Sequence, residues 1–225
     1  RLDSLDGPSL FGGELAATPA LGAPTNDVSA RVGIVIDTRD DESAPQRGVL
    51  IQAIHTRADS TVMGDVSYAR TFVSARGYLP VGSKFVLAAR VAGQKMTGTP
   101  PVGTYYTMDA SDGAIYGLGG ANTDRALPQD RLLGRSKLVA NFDVRYNIMQ
   151  IPPGVPTPIA RLTLIGFVDA ARVFQTENFR LTTTGMLWGG GGGVMFQLMR
   201  NAFLGLTVGG GPDGAQIQAH TGWTF

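Results

Sequence analysis

The chain contains no cysteine, which excludes a disulfide scaffold, thiolate nucleophiles and cysteine-ligated metals. It also has no apolar run approaching the roughly 18 residues that a spanning helix needs. The longest uncharged stretch near its end, Leu181 to Met199, is broken by five consecutive glycines, Gly189 to Gly193, each costly inside a helix. Charge is scarce: Asp, Glu, Lys and Arg make up 16% of the residues, below the roughly 25% of soluble domains. The 19 basic and 18 acidic side chains nearly cancel, so nothing in the charge points to a nucleic-acid partner. The two histidines, His55 and His220, lie far apart, with no carboxylate spacing that suggests a metal site or a catalytic triad. Neither glycine cluster, 189–193 or 209–211, is followed by a helix or a Lys-Ser/Thr pair, as a phosphate-binding loop would be. No cofactor and no enzymatic reaction is expected. The chain starts at Arg1 with neither Met nor a charged-then-apolar leader, which reads as a mature or truncated chain whose targeting segment is gone.

What the chain does have is alternation. From Lys137, one parity reads Leu138, Ala140, Phe142, Val144, Tyr146 and Ile148. The other reads Lys137, Val139, Asn141, Asp143, Arg145 and Asn147. Successive side chains of a strand point to opposite faces, so this segment has one apolar and one charged face. Val28 to Arg39, Lys84 to Gly93 and Ala215 to Phe225 repeat the pattern. Weaker strand candidates are Gly48 to Thr56, Asp65 to Arg76, Ile159 to Val173, Gly185 to Leu198 and Ala202 to Gly210. Strands of soluble proteins average about 5–6 residues, whereas barrel strands need about 9–11 to cross a bilayer. Many of these segments have the longer length.

The expected fold is therefore all-β, an antiparallel transmembrane β-barrel with about ten strands visible and one long extracellular loop. Residues 28–225 form the barrel, with the long loop at 94–133. Residues 1–27 read as an N-terminal tail or a first strand, Ser9 to Ala20 being the candidate. The apolar parity would face lipid and the charged parity a wet interior. Outer-membrane barrels commonly end in an aromatic residue, with a second aromatic or apolar residue two positions earlier. Trp223 and Phe225 fit that C-terminal signature and imply a bacterial outer membrane with the C-terminus on the periplasmic side. Outer-membrane lipid and other envelope proteins are the expected partners.

Three stretches together resemble the BamA/TamA-type outer-membrane assembly superfamily, which also includes the two-partner-secretion transporters. Asp37-Thr38-Arg39-Asp40, followed by Pro45-Gln46-Arg47-Gly48, is similar to the family's periplasmic turn between two strands. Leu118-Gly119-Gly120, Asp124-Arg125-Ala126-Leu127, Gly134 and Asp143-Val144-Arg145 follow the order of its large loop and next strand. Phe167-Val168-Asp169-Ala170-Ala171 resembles a further strand motif. The resemblance spans about Val28 to Phe225. It implies that Arg125 sits at the tip of a loop folded back into the lumen, approaching Asp169, with Asp143 and Arg145 lining the same interior. Ala126 and Leu127 stand where the family has glycine and an aromatic, and Ala171 where it has glycine. Full family barrels have roughly sixteen strands, usually behind periplasmic POTRA modules. By resemblance the chain inserts or translocates other proteins. The alternative, favoured by its short length, is a structural anchor subunit of a larger envelope complex.

Overall fold

The computed structural model describes residues 26–113, 115–155, 158–174, 179 and 182–225. Its strands are β1 (Ser29–Asp37), β2 (Gly48–Ala58), β3 (Tyr68–Val81), β4 (Phe85–Gly98), β5 (Thr107–Met108), β6 (Ile115–Tyr116), β7 (Ser136–Ile151), β8 (Ala160–Phe174), β9 (Leu187–Leu198), β10 (Ala202–Gly211) and β11 (Gly214–His220). Nine of them form one antiparallel sheet in the order β1-β2-β3-β4-β7-β8-β9-β10-β11, and β5 pairs with β6 inside the long connection. All nine strand segments legible in the sequence are present. The possible strand Ser9 to Ala20 lies outside the described residues.

Seven of the nine sheet strands run ten residues or more, long enough to cross a bilayer. None of the described helical segments is long and apolar enough to do so. Alternation sorts the two faces. The outer face exposes Ile34, Ile51, Val73, Val91, Phe142, Val168, Leu206 and Ile217. The inner face of β7 buries Lys137, Asn141, Asp143 and Arg145, and that of β8 buries Arg161, Thr163 and Asp169. An outer face this apolar is stable only in hydrocarbon or against another apolar surface.

The β1–β2, β3–β4, β7–β8 and β9–β10 connections lie at one end of the sheet, here the turn end, and the long β4–β7 connection leaves from the other. The sheet curls enough to bring two separated turns together. Arg200, after β9, bonds Asp41, after β1, at 3.2 Å, and Ser43 bonds Asn201 at 3.2 Å. The edges of the sheet are β1 and β11. Every residue of β1 is exposed, because an edge strand with little packed against it buries neither face.

The β4–β7 connection folds back over the inner face. A 3-10 turn, Val102–Tyr106, leads into β5. Met108, Ala110, Ile115, Leu118 and Leu127 then pack on Ile54, Phe72, Ala92, Val139 and Ala171 of the strands. The barrel interior is therefore a core built between sheet and loop.

One expectation changes. Alternation in the last segment continues to Phe225, but pairing with β10 ends at Gly205↔His220. Residues 221–225 turn inward, so Trp223 and Phe225, expected on the lipid parity of the last strand, lie on the inner side. Phe225 is only 6% exposed. Arginines on the inner wall accept both rings and bond the backbone, and these contacts replace the ladder bonds given up.

Candidate functional site

The site is the seat of the loop tip on β7 and β8. Strand register sets it: Asn141 pairs with Asp169, and Asp143 with Phe167, so the inner parity of two neighbouring strands presents two carboxylates and an amide together. The tip is shaped by Gly119 and Gly120, at φ 114° and 93°, conformations that suit glycine. The Gly120 N–H donates to Asp124 O at 2.9 Å, and the Gly119 N–H to Thr123 Oγ1 at 2.8 Å.

Arg125 projects from this turn and is 1% exposed. Its backbone N–H donates to Asp169 Oδ2 at 2.9 Å, Nε to the same oxygen at 2.8 Å, and Nη2 to Asp169 Oδ1 at 2.8 Å and Asp143 Oδ1 at 2.6 Å. The guanidinium lies over the Phe167 ring, 3.9 Å from its centroid. Arg145 holds the other oxygen of Asp143, with Nη2 at 3.0 Å. Asn141 donates to Asp169 Oδ1 at 2.7 Å and accepts from Arg90 Nε at 2.9 Å, while Arg90 Nη2 reaches Asn122 O on the loop at 2.8 Å. The result is a buried network of Arg90, Arg125 and Arg145 with Asp143 and Asp169, in which the planar guanidinium fork matches the carboxylates. Burial acts to lower the Arg125 pKa, but the charges of Asp143 and Asp169 outweigh it and hold the group above its ordinary value. Next to it, burial and the charge of Asp169 push Asp124 up to about 6.

Ala126 and Leu127 have separate seats. Ala126 is fully buried and is not among the residues with positive φ, so alanine costs no backbone strain there. It rests on a floor of glycines: a Cβ built on Gly189 would lie 2.1 Å from the Ala126 Cβ, and one on Gly211 would lie 3.0 Å from Ala126 O. The glycines of β9 and β10 thus permit close approach of the loop backbone. Leu127 shares the apolar cluster with Ala171.

A second set of anchors, not singled out from the sequence, holds the ascending limb of the loop. Asp109 takes Arg70 Nη2 at 3.0 Å, Arg31 Nη1 at 3.3 Å and the Thr56 hydroxyl at 2.5 Å. Asp112 takes Arg76 at 2.6 and 3.2 Å. Gln94 bridges Thr107 O and the Asp109 N–H, both at 2.9 Å. The available signal was the inner parity itself. Arg70, Arg76 and Arg90 recur on it, and cations buried there require anions from the loop.

The turn motif lies apart from this seat. Asp37 takes Arg39 Nε at 3.0 Å and Nη2 at 2.8 Å. Asp40 Oδ1 caps the N–H groups of Gln46 and Arg47 at 2.9 and 3.1 Å. Pro45 is buried, and Gly48 sits at φ 102°. Of the two histidines, His220 is buried and bonds Thr207 at 2.7 Å, and His55 is on the outer face bonded to Thr71 at 2.9 Å. Among the described residues no group of His, Cys, Asp or Glu is placed to hold a metal ion.

A search of curated protein sequences finds no match. Among solved structures, the chain is similar to the crystal structure of BamA from Haemophilus ducreyi lacking POTRA domains 1–3. The TM-score is 0.63 and the identity 15%, over 89% of this chain and 45% of that one. The chain thus spans less than half the length of that structure. Residues 13–199 match the Omp85 superfamily domain. The chain accordingly belongs to the Omp85 superfamily, and its nine-stranded antiparallel sheet is that of a bacterial outer-membrane β-barrel.

Proposed function

We propose that the chain takes part in inserting or translocating other proteins at the outer membrane, with its turn end and C-terminus facing the periplasm. The observation that carries this reading is the docked loop: Arg125, held between Asp143 and Asp169 at 2.6 to 2.8 Å, fixes a long connection inside the sheet. A passive solute pore gains nothing from filling its lumen with its own chain. A scaffold that must keep its interior ordered while its wall engages another polypeptide does gain from it. Residues 28–225 act as one barrel unit in this reading. Arg125, Asp143, Asp169 and Arg145 are its latch, and the segment Asp37 to Gly48 is a periplasmic turn.

Lipid vesicles containing the protein, supplied with an unfolded outer-membrane barrel substrate, test this. Arg125→Ala and Asp169→Ala variants should insert the substrate at least ten-fold more slowly than the unaltered protein, while keeping heat-modifiable electrophoretic mobility. No insertion by the unaltered protein above that of protein-free vesicles would remove the assembly role and leave the structural anchor; folded variants that support unchanged insertion would show that insertion does not need the latch.

A further inference from the structure

The lipid-facing side of the sheet carries a groove of about 470 Å³ across β2, β3, β4 and β7, within the roughly 300–1,000 Å³ of ligand sites. Register builds it. Val49 pairs with Gly77, Gly77 with Ala89, and Ala89 with Phe142, so one row across four strands reads bulky, small, small, bulky. Val49 and Phe142 are exposed walls, and a Cβ built on Gly77 would have nothing within 4 Å. Leu79 and Leu87, paired in the next row of this parity toward the turn end, extend the apolar lining.

The turn end of the groove carries positive charge. Lys84 immediately precedes β4 and Arg47 immediately precedes β2, and both are exposed. Neither side chain forms an ion pair among the described residues. The Lys84 ammonium lies 5.9 Å from the Tyr146 ring centroid, and Asp40 Oδ1, beside Arg47, is taken up by backbone N–H groups. Tyr146 in turn packs on Phe85 at 4.8 Å, a cation and two aromatic rings of the kind found where a barrel meets the bilayer surface. From Lys84 to Ala89 the strand covers roughly 16 Å at about 3.3 Å per residue. At the tilt of a barrel strand that is about 12 Å of depth, half of the ~25 Å apolar band. A molecule with its head at the two cations and its tail along the groove therefore stays within one leaflet.

We propose that this groove binds one anionic phospholipid, with its phosphate between Arg47 and Lys84 and an acyl chain on the floor of Gly77 and Ala89. Charge complementarity selects the occupant. An apolar protein segment in the groove leaves both cations without a counter-charge, and a zwitterionic headgroup offsets them only in part, whereas an anionic headgroup at the bilayer surface neutralises them. The site lies on the opposite face of the sheet from the loop latch, and its occupancy is measurable without any insertion activity.

The test uses the full chain in detergent micelles, with phosphatidylglycerol or phosphatidylcholine of the same acyl chains added, and native mass spectrometry to count the lipid retained. The unaltered chain should hold one phosphatidylglycerol at least five-fold more tightly than phosphatidylcholine. Gly77→Phe, which fills the floor, should weaken phosphatidylglycerol binding ten-fold or more. Gly210→Phe, at an equally open position on β10, should leave it unchanged. Arg47→Gln/Lys84→Gln should bring phosphatidylglycerol down to the level of phosphatidylcholine. Equal retention of the two lipids by the unaltered chain would overturn the proposal, as would unchanged retention in Gly77→Phe. A dimer in place of the lipid adduct would give the groove to a second copy and overturn it as well. If Gly77→Phe fails to fold, the double charge variant, confined to exposed turn residues, decides: an anionic preference that survives it sinks the proposal.

Discussion

Arg125 grips Asp169 through both main chain and side chain: its backbone N–H and its Nε share Oδ2 at 2.9 and 2.8 Å, while Nη2 takes Oδ1 at 2.8 Å. The same Nη2 reaches Asp143 at 2.6 Å, so one planar group satisfies two buried carboxylates. Arg125→Ala leaves both without this cation and should cost about 3–5 kcal/mol of loop docking, as breaking a buried pair does. Arg125→Lys keeps the charge but cannot form the fork, and should recover less than half of that loss. Hydrogen exchange of residues 119–127 in the folded barrel measures both. Protection in Arg125→Lys equal to that of the unaltered chain would show that charge alone holds the loop.

The glycine floor gives a second, sharper test. A methyl group at Gly189 would fall 2.1 Å from the Ala126 Cβ, and rigid strand backbone lies behind it. Gly189→Ala should therefore lift the loop tip at a cost of about 1–3 kcal/mol, the usual range for overpacking. Ala126→Gly should relieve the clash, so the double variant should dock better than Gly189→Ala alone, with a coupling of at least about 1 kcal/mol. Additive effects of the two changes would mean that the tip does not rest on β9.

All nine sheet strands were legible in the sequence, four of them through a clear alternation of apolar and polar residues and five more weakly, because a strand with one apolar face has a period of two. The inner parity of Asn141, Asp143 and Arg145 was legible for the same reason, and it holds down to individual residues. Strand ends were less so. β4 runs on to Gly98, five residues past the legible pattern, and there the folded-back loop engages Gln94 through Thr107 and Asp109, which no local signal marks. The inward turn of residues 221–225 was not legible either. Ile217, Ala219, Thr221, Trp223 and Phe225 alternate without a break, and what ends the strand is the pair Arg90 and Arg145, more than 75 residues away in the chain. Asp109 and Asp112 were missed because a loop carries no period, and partners across a lumen are set by topology.

Two glycines with positive φ separate a turn that is built around glycine from one that merely contains it. Gly48 sits at φ 102° with its would-be Cβ 2.3 Å from Thr38 O, whereas Gly82, at φ 64°, has nothing within 4 Å. Gly82→Ala should cost about 1 kcal/mol, the backbone penalty alone. Gly48→Ala adds a backbone collision and should cost about 2 kcal/mol or more, by opening the turn that Asp40 closes onto Gln46 and Arg47. Urea unfolding midpoints in lipid vesicles would rank the two. Equal midpoints would mean that the Asp37–Gly48 turn yields freely, and that its glycine does not set its shape.

Asp124 makes docking depend on pH. Burial first, and the charge of Asp169 second, raise its pKa from 3.8 to about 6. The docked loop thus binds this proton more tightly than the released loop does. The contribution is fully present below about pH 4 and is lost as the pH rises through about 6, a difference on the order of 3 kcal/mol by linkage. Asp124→Asn keeps an oxygen for the Ala126 N–H, which Asp124 Oδ1 accepts at 3.1 Å, and removes the charge. The variant should therefore dock more firmly than the unaltered chain at pH 7.5 and match it near pH 4. Hydrogen exchange of the tip, corrected for the intrinsic pH dependence of exchange, reads this directly. If Asp124→Asn retains the slope of the unaltered chain between pH 4 and 7, the proton that governs docking is carried by another group.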